Sequence, residues 1–502
     1  MNVKMKKSYF VSKDILIFFI EWLIWFILSL ILCSGVDDLF NNVHAALYVF
    51  SVIGVIQFVR VSLSIKRMQG QLFSPYWLFY CFLFVFSYGQ FAMWAFGIHY
   101  ETEMTVTTFI RYIDEFTALK IQVLSLQLFS IFHIGALLAF GFRHNKTEIT
   151  YKVEAENSVL KFIALPILII SGAINITYTY IGFNMASSIG YSALFDIAMP
   201  PLLKYLSYMF IPSIFLNLIV RGFSKRAFTI LSSIFLLYAI PLLIIGDRGS
   251  WVYFLGPWLW CFIRYVNIPS QTNGAISAKK SRKKMIISII LVALIIYSSA
   301  LFVSVRDVGR DNLAYDDFSF GNLFLPFVKP FFEMGQSAGL LGVIEQDGLY
   351  KTWSYGNTYN AAILGMVLPS IRALFGYYVF YIENWMSQYL QMGNYGVGFS
   401  AFAEAYLNGG PLFSWFYMLL YGYFIGSLAL VKKETPKTNY RKLFIVLATV
   451  TVLGPSVRAS MDLFLRQFFW GVLTVLLITT ALSPRLRRFP ASTRTIEGKD
   501  EG

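Results

Sequence analysis

Four arginines of this 502-residue chain stand where long apolar runs end. Arg248 sits in Gly246-Asp247-Arg248-Gly249-Ser250, which joins two such runs with almost no loop. Arg306 and Arg310 follow another run, in Val305-Arg306-Asp307-Val308-Gly309-Arg310-Asp311, and Arg458 occupies the short turn Pro455-Ser456-Val457-Arg458. Guanidinium forks bind phosphate bidentately and do not deprotonate. Brought from three hairpins to one membrane depth, four of them would suit a lipid-linked diphosphate. The alternative is local pairing of each arginine with Asp247, Asp307, Asp311 or Asp462, or with a lipid head group.

Carboxylates supply the candidate bases. Glu404 lies in Gly398-Phe399-Ser400-Ala401-Phe402-Ala403-Glu404-Ala405-Tyr406-Leu407-Asn408-Gly409-Gly410, an apolar and helical-looking stretch. A carboxylate in that setting needs a partner or a task. Asp247 stands next to one of the four arginines and is the second candidate. The pair Asp37-Asp38 could hold a divalent metal, but Asn41, Asn42 and His44 beside it read as an ordinary polar turn. His44, His99, His133 and His144 make no ligand spacing, and His133, with Gln122 and Gln127 upstream, reads as a hydrogen-bonded packing residue. Glu21 reads as snorkelling or as half of a buried pair. Cys33, Cys81 and Cys261, each in a separate apolar segment, offer neither a disulfide framework nor a zinc spacing. The chain has no nucleophile elbow, phosphate loop or dinucleotide fingerprint, so nothing in it points to a nucleotide, a metal or another cofactor.

Membrane helices must position these groups. Of the residues, 57% are hydrophobic and 14% charged, where soluble domains carry about 25% charge. That leaves too little polar surface for a soluble enzyme with one anchor, and far too much apolar surface for a disordered chain. A bilayer core of about 30 Å takes roughly 20 apolar helical residues. Twelve such runs are legible: 15–32, 45–63, 74–96, 119–142, 158–176, 200–220, 227–245, 250–266, 285–305, 411–431, 443–456 and 463–482. The fold expected is therefore all-α, a polytopic integral membrane protein of about twelve transmembrane helices. Its parts are residues 1–305 with spans one to nine, a large outer loop 306–410, spans ten to twelve within 411–483, and a basic tail 484–502. The loop is rich in aromatic and aliphatic residues, as short helices lying on the outer leaflet would be. A long ordered loop of that kind usually carries function.

Orientation follows from the charges. With the N-terminus inside, the inner side holds 28 basic and 8 acidic residues, and the outer side 8 basic and 18 acidic. This is the positive-inside pattern. The formal net charge of +14 is thus an orientation signal, not a nucleic-acid footprint, and both termini are expected in the cytoplasm. The arginines singled out above are a minority on a net acidic face.

From 200 to 482 the chain resembles the oligosaccharide repeat-unit polymerases of the O-antigen polymerase or Wzy type. The residues carrying the resemblance are Gly246-Asp247-Arg248-Gly249, the region of Arg306-Asp307, and Gly398-Phe399-Ser400 through Glu404-Ala405-Tyr406-Leu407-Asn408-Gly409-Gly410. The loop before the last three spans also fits. Some members have an outer-loop Arg some ten residues before a Gly, a spacing matched by Arg310 and Gly321 but not repeated at Arg306 or Arg372. The resemblance implies a metal-independent bacterial inner-membrane glycosyltransferase with a GT-C-like helical fold. It would join polyprenyl-diphosphate-linked oligosaccharide repeats on the outer face, with a chain-length regulator as a candidate partner. Arg248, Arg306, Arg310 and Arg458 are then the expected diphosphate ligands, and Glu404 or Asp247 the catalytic base. Three alternatives remain at this point. An O-antigen ligase shares the large loop, but ligases resemble one another in a loop histidine that 305–411 lacks. A lipid-linked-oligosaccharide flippase would line a central cavity with charge. A metal-dependent glycosyltransferase would use Asp37-Asp38.

Overall fold

The computed structural model describes residues 3–34, 42–98, 112–144, 154–189, 197, 199–245, 247, 249–266, 332, 334–377, 382–391, 398–431 and 439–486. All regular elements among the described residues are helical. The first four spans lie on α1 (Val3–Cys33), α2 (Val43–Gln69), α3 (Pro75–Trp94) and α4 (Glu115–His144). The fifth lies on α5 (Glu154–Ile189), the sixth on α6 (Pro201–Ser207) with α7 (Phe210–Val220), and the seventh on α8 (Lys225–Ile244). The eighth run folds as α9 (Gly249–Cys261), continued by a π-helical turn over Phe262–Val266. Five short helices follow: α10 (Ala338–Gln346), α11 (Leu349–Thr352), α12 (Thr358–Leu364), α13 (Pro369–Ala373) and α14 (Ile382–Tyr389). The chain closes with α15 (Ala401–Ala429), α16 (Tyr440–Leu453), α17 (Met461–Phe468) and α18 (Thr474–Leu486).

Among the described residues, ten helical segments are long and apolar enough to cross a bilayer, and they coincide with expected spans one to seven and ten to twelve. The eighth run is divided at its π turn and is not among the ten. The ninth, 285–305, lies outside the described residues. Local rules explain several boundaries. Ser74 caps α3 by accepting the Trp77 amide (3.3 Å), with Pro75 at the first helical position. Gly70 ends α2 in the left-handed conformation, φ +75°.

α4 is the axis of the bundle: 94% of its most apolar window is buried, against 17% in α1. In lipid the hydrophobic effect does not pull helices together, so close backbone approach through small residues must. Among the described residues, α4 and α15 make the most extensive helix pair. A Cβ on Gly422 would collide with the Phe132 carbonyl, one on Gly135 with the Leu419 carbonyl, and one on Gly426 would lie 2.6 Å from Ala136 Cα. Gly422 and Gly426 are spaced as small-xxx-small motifs require.

Several polar residues inside the bundle are paired. Arg60 Nη1 lies 2.9 Å from Glu21 Oε2, so Glu21 is half of an ion pair. Ser64 donates its hydroxyl proton to Asp14 Oδ2 (2.7 Å), and Arg67 donates to Asp14 Oδ1 at 2.9 Å. His133 Nε2, 3.0 Å from Ser64 Oγ, must therefore be the donor there, leaving Nδ1 to accept from Tyr76 (3.3 Å). His133 is a satisfied packing residue, as expected. Gln122 donates to Ser51 and to the Leu47 carbonyl, tying α4 to α2. Cys261 is buried, Cys33 and Cys81 are half-buried, and none is disulfide-bonded.

Candidate active site

Glu404 was expected just before the tenth span; the structure extends the helix to include it. α15 starts at Ala401, breaks at Gly410 (φ +57°, ψ −163°) and resumes after Pro411. Proline has no amide to donate and opens the second piece, while only glycine takes the preceding left-handed position without strain. The break sets a buried helical turn across the end of the bundle. Ser400 caps it by accepting the Phe402 amide at 3.3 Å. Phe402 packs edge-on against Phe129 of α4, ring centroids 4.8 Å apart. Tyr406 donates to Glu345 of α10, which Lys120 of α4 approaches at 3.8 Å. Glu404 is thereby fixed in place, 1% exposed.

Both carboxylate oxygens of Glu404 accept a hydrogen bond. Thr358 Oγ1 donates to Oε1 at 2.7 Å, and the Met461 amide at the start of α17 donates to Oε2 at 2.8 Å. The direction of the first bond is dictated by Asn408, one turn beyond Glu404. Asn408 Oδ1 accepts the Thr358 amide (2.8 Å), which fixes its side-chain orientation. Its Nδ2 then donates to Thr358 Oγ1 and to the Glu404 carbonyl, both at 2.7 Å. With that lone pair occupied by a donor, the Thr358 hydroxyl must send its proton to Glu404. The carboxylate is held as an acceptor on both oxygens, with lone pairs to spare.

Beside it lies a buried Arg–Asp–Arg cluster. Asp462 Oδ1 is 3.0 Å from Arg372 Nη1, and its Oδ2 accepts from Arg466 Nη2 at 2.8 Å. All three residues are buried. Arg372 comes from α13, and Asp462 and Arg466 are one turn apart on α17. Arg466 Nε also donates to the Gly365 carbonyl at the end of α12 (3.4 Å). Glu383 of α14 accepts the Ser460 amide at 2.6 Å. A small cleft opens between these groups, lined by Trp353, Tyr355, Thr358, Arg372, Glu404, Ser460 and Asp462 among others. Tyr359 is no rival base: desolvation, and behind it the Glu404 charge, push its phenol well above the ordinary range, so it stays protonated.

Of the six residues expected to carry chemistry, Glu404 lines the cleft. Arg458 is its neighbour through the backbone: the Phe399 amide donates to the Arg458 carbonyl at 2.6 Å, just ahead of the Glu404 turn. The Arg458 guanidinium lies 5.9 Å from the centre of the Phe86 ring. Asp462, the local partner weighed as the alternative for Arg458, is engaged by Arg372 and Arg466. Asp247 is buried and stands outside the cleft lining; its Oδ1 accepts the Gly249 amide at 2.9 Å, holding the turn into α9. It approaches the same end of the bundle, since Tyr253 is within electrostatic reach of both Asp247 and Arg458. Arg248, Arg306 and Arg310 lie outside the described residues, as do Asp37 and Asp38.

Sequence reasoning missed Arg372, Arg466, Thr358 and Ser460. One signal was available for part of this: Asp462 and Arg466, four apart in an apolar span, must pair on one helix face. No spacing connects Thr358 to Asn408 or Arg372 to Asp462.

No curated protein and no solved structure matches the chain. The family model described as O-antigen polysaccharide polymerase Wzy matches residues 15–484, so both the helical bundle and the cleft fall within it. This multi-pass membrane protein therefore belongs to the O-antigen polysaccharide polymerase Wzy family, whose work is the polymerisation of O-antigen repeat units.

Proposed function

We propose that the polymerase works on the outer face of the bacterial inner membrane as a GT-C-like glycosyltransferase, with Glu404 as its general base. The donor is the growing glycan on its polyprenyl diphosphate, and the acceptor is a fresh lipid-linked repeat. An acceptor hydroxyl oxygen attacks the anomeric carbon of the donor and passes its proton to Glu404. The bond from that carbon to the diphosphate breaks, and its electron pair leaves with the diphosphate. The glycan is then one repeat longer on the incoming lipid. Charge develops on the leaving group, where Arg458, with Arg248, Arg306 and Arg310, would stabilise it. Arginine takes the part that a metal plays elsewhere, so the reaction needs none. Asp247 stands outside the cleft lining, and this supports Glu404 as the base.

The observation carrying this reading is the carboxylate buried at the wall of a cleft and held as an acceptor by Thr358 and the Met461 amide. A positioned base contributes about 10²–10⁴-fold. Glu404→Gln should therefore lower single-turnover polymerisation by that factor, assayed with chelator present and with thermal unfolding unchanged. Full chain growth in the variant would remove Glu404 from the chemistry. Loss of wild-type activity in chelator, restored by magnesium, would return the metal-dependent alternative.

A further inference from the structure

From Thr352 to Ile371 the large loop carries no charge, and this stretch holds α12 and α13. Its contacts with the last span fix how deep it lies. At about 1.5 Å of rise per residue, Asp462, Arg466 and Trp470 stand about 30, 24 and 18 Å from the far end of that span at Leu482. In a hydrocarbon core about 30 Å thick, they lie at its near edge, about 6 Å inside it and about 12 Å inside it. Thr358 is at the edge, bonded to the carboxylate that also takes the Met461 amide. Deeper, the Gly365 carbonyl accepts from Arg466 Nε (3.4 Å) and the Val367 carbonyl from Trp470 Nε1 (3.0 Å). Arg372 is back at the edge, 3.0 Å from Asp462. The chain descends and returns. The sixth span gives the same level independently. The Trp470 ring stacks on Tyr205, centroids 4.9 Å apart, and a Cβ on Gly471 would lie 2.6 Å from the Tyr208 carbonyl. Tyr205 and Tyr208 stand about 22 and 18 Å from the far end of their span at Val220. Val367 therefore lies about 8–12 Å inside the near edge.

Non-helical backbone at membrane depth is tolerated only where protein satisfies its polar groups. The turn between α12 and α13 meets that condition, because Arg466 and Trp470 of the span donate to its carbonyls. The other side of the turn is apolar: against the described residues Ile363, Leu368, Leu374 and Phe375 are exposed, Leu374 by 83%. This surface continues the bundle's own lipid face, where Leu202 is exposed one turn before Tyr205 on α6. We infer that residues 358–377 form a re-entrant hairpin whose tip, 365–368, enters the near leaflet, with lipid acyl chains as its partner. The hairpin begins at Thr358, the donor to Glu404, so the leaflet supports one wall of the cleft. This placement stands whether or not Glu404 is the base.

Site-directed spin labelling tests this. Full-length protein with Cys33, Cys81 and Cys261 replaced by alanine, and still able to extend chains, is placed in lipid nanodiscs. One cysteine at a time is introduced and given a nitroxide. Its collisions with oxygen, which concentrates in lipid, are compared with those of a water-soluble nickel chelate. Leu477→Cys, at an exposed position of the last span, is the lipid reference, and Lys351→Cys, exposed before the hairpin, is the aqueous one. At Leu368→Cys the ratio of oxygen to nickel collisions should match Leu477→Cys and exceed Lys351→Cys several-fold. Ile363→Cys and Leu374→Cys, nearer the edge, should fall between. A ratio at Leu368→Cys equal to the aqueous reference puts the tip in water and overturns the proposal. Few collisions with either reagent mean that another segment or a second copy covers the tip, and overturn it equally. If the label at Leu368→Cys prevents folding, Leu374→Cys decides by the same outcomes. Glu404→Gln should leave every ratio unchanged, so failure of the base and failure of the hairpin give different results.

Discussion

At the scale of single residues, the site is organised by two arrangements that supply partners to the charges they bury. Glu404 receives two donors, and the Asn408–Thr358 pair orders the hydroxyl proton toward it. Asp462 holds two arginines drawn from elements about ninety positions apart in the chain. Removing one partner from a buried ion cluster costs more than the cluster ever contributed, because the remaining charge stays desolvated. Asp462→Ala should accordingly destabilise the protein by about 3–5 kcal/mol, read as a fall in the thermal midpoint in detergent. A midpoint equal to wild type would mean that the two guanidiniums need no shared carboxylate. Glu404 could be singled out from the chain alone because a carboxylate surrounded by Phe and Ala stands out. Its donors could not be found that way: Thr358 and Met461 are unremarkable residue types, brought to it by folding.

At the scale of elements, α15 does two jobs with one break. Its first piece places Glu404 and Asn408 over the end of the bundle, and its second crosses the membrane against α4. The Gly409-Gly410-Pro411 sequence reads equally well as the border between loop and span, which is where the tenth span was expected to begin. The stretch around Glu404 looks helical in the sequence; what only packing shows is where it rests, with Phe402 on Phe129 and Tyr406 tied to Glu345. The second piece depends on its glycines, because main chain touches main chain at Gly422. Gly422→Leu should force α15 away from α4 and carry the Glu404 turn with it. Activity and the yield of monodisperse protein are expected to fall together. A variant of normal yield and normal activity would show that the close crossing is dispensable. The spans themselves were legible because bilayer thickness imposes one length on every run. The division of the eighth run into α9 and a π turn has no such signature.

For the whole molecule, the asymmetry of charge is the dominant feature. The 28 basic residues on one side of the expected topology face 8 on the other, and the positive-inside rule converts that into an expected orientation. Fluorescent protein fused after residue 502 should fluoresce, and alkaline phosphatase fused there should be inactive. The reverse pair of results would invert the topology and move the cleft to the cytoplasmic side.

The sequence by itself determined the class of molecule: an all-helical, multi-pass membrane protein in which a few arginines and one carboxylate stand apart. This follows from composition and periodicity, which act along the chain and need no knowledge of neighbours. Only the tertiary structure decided which charges meet. It paired Asp462 with Arg372 and Arg466, gave Asp247 to the turn into α9, and left Ser460 in a cleft walled by Trp353. Those outcomes depend on desolvation and on hydrogen-bond direction between residues far apart in sequence, and a buried charge selects its partner by distance in space.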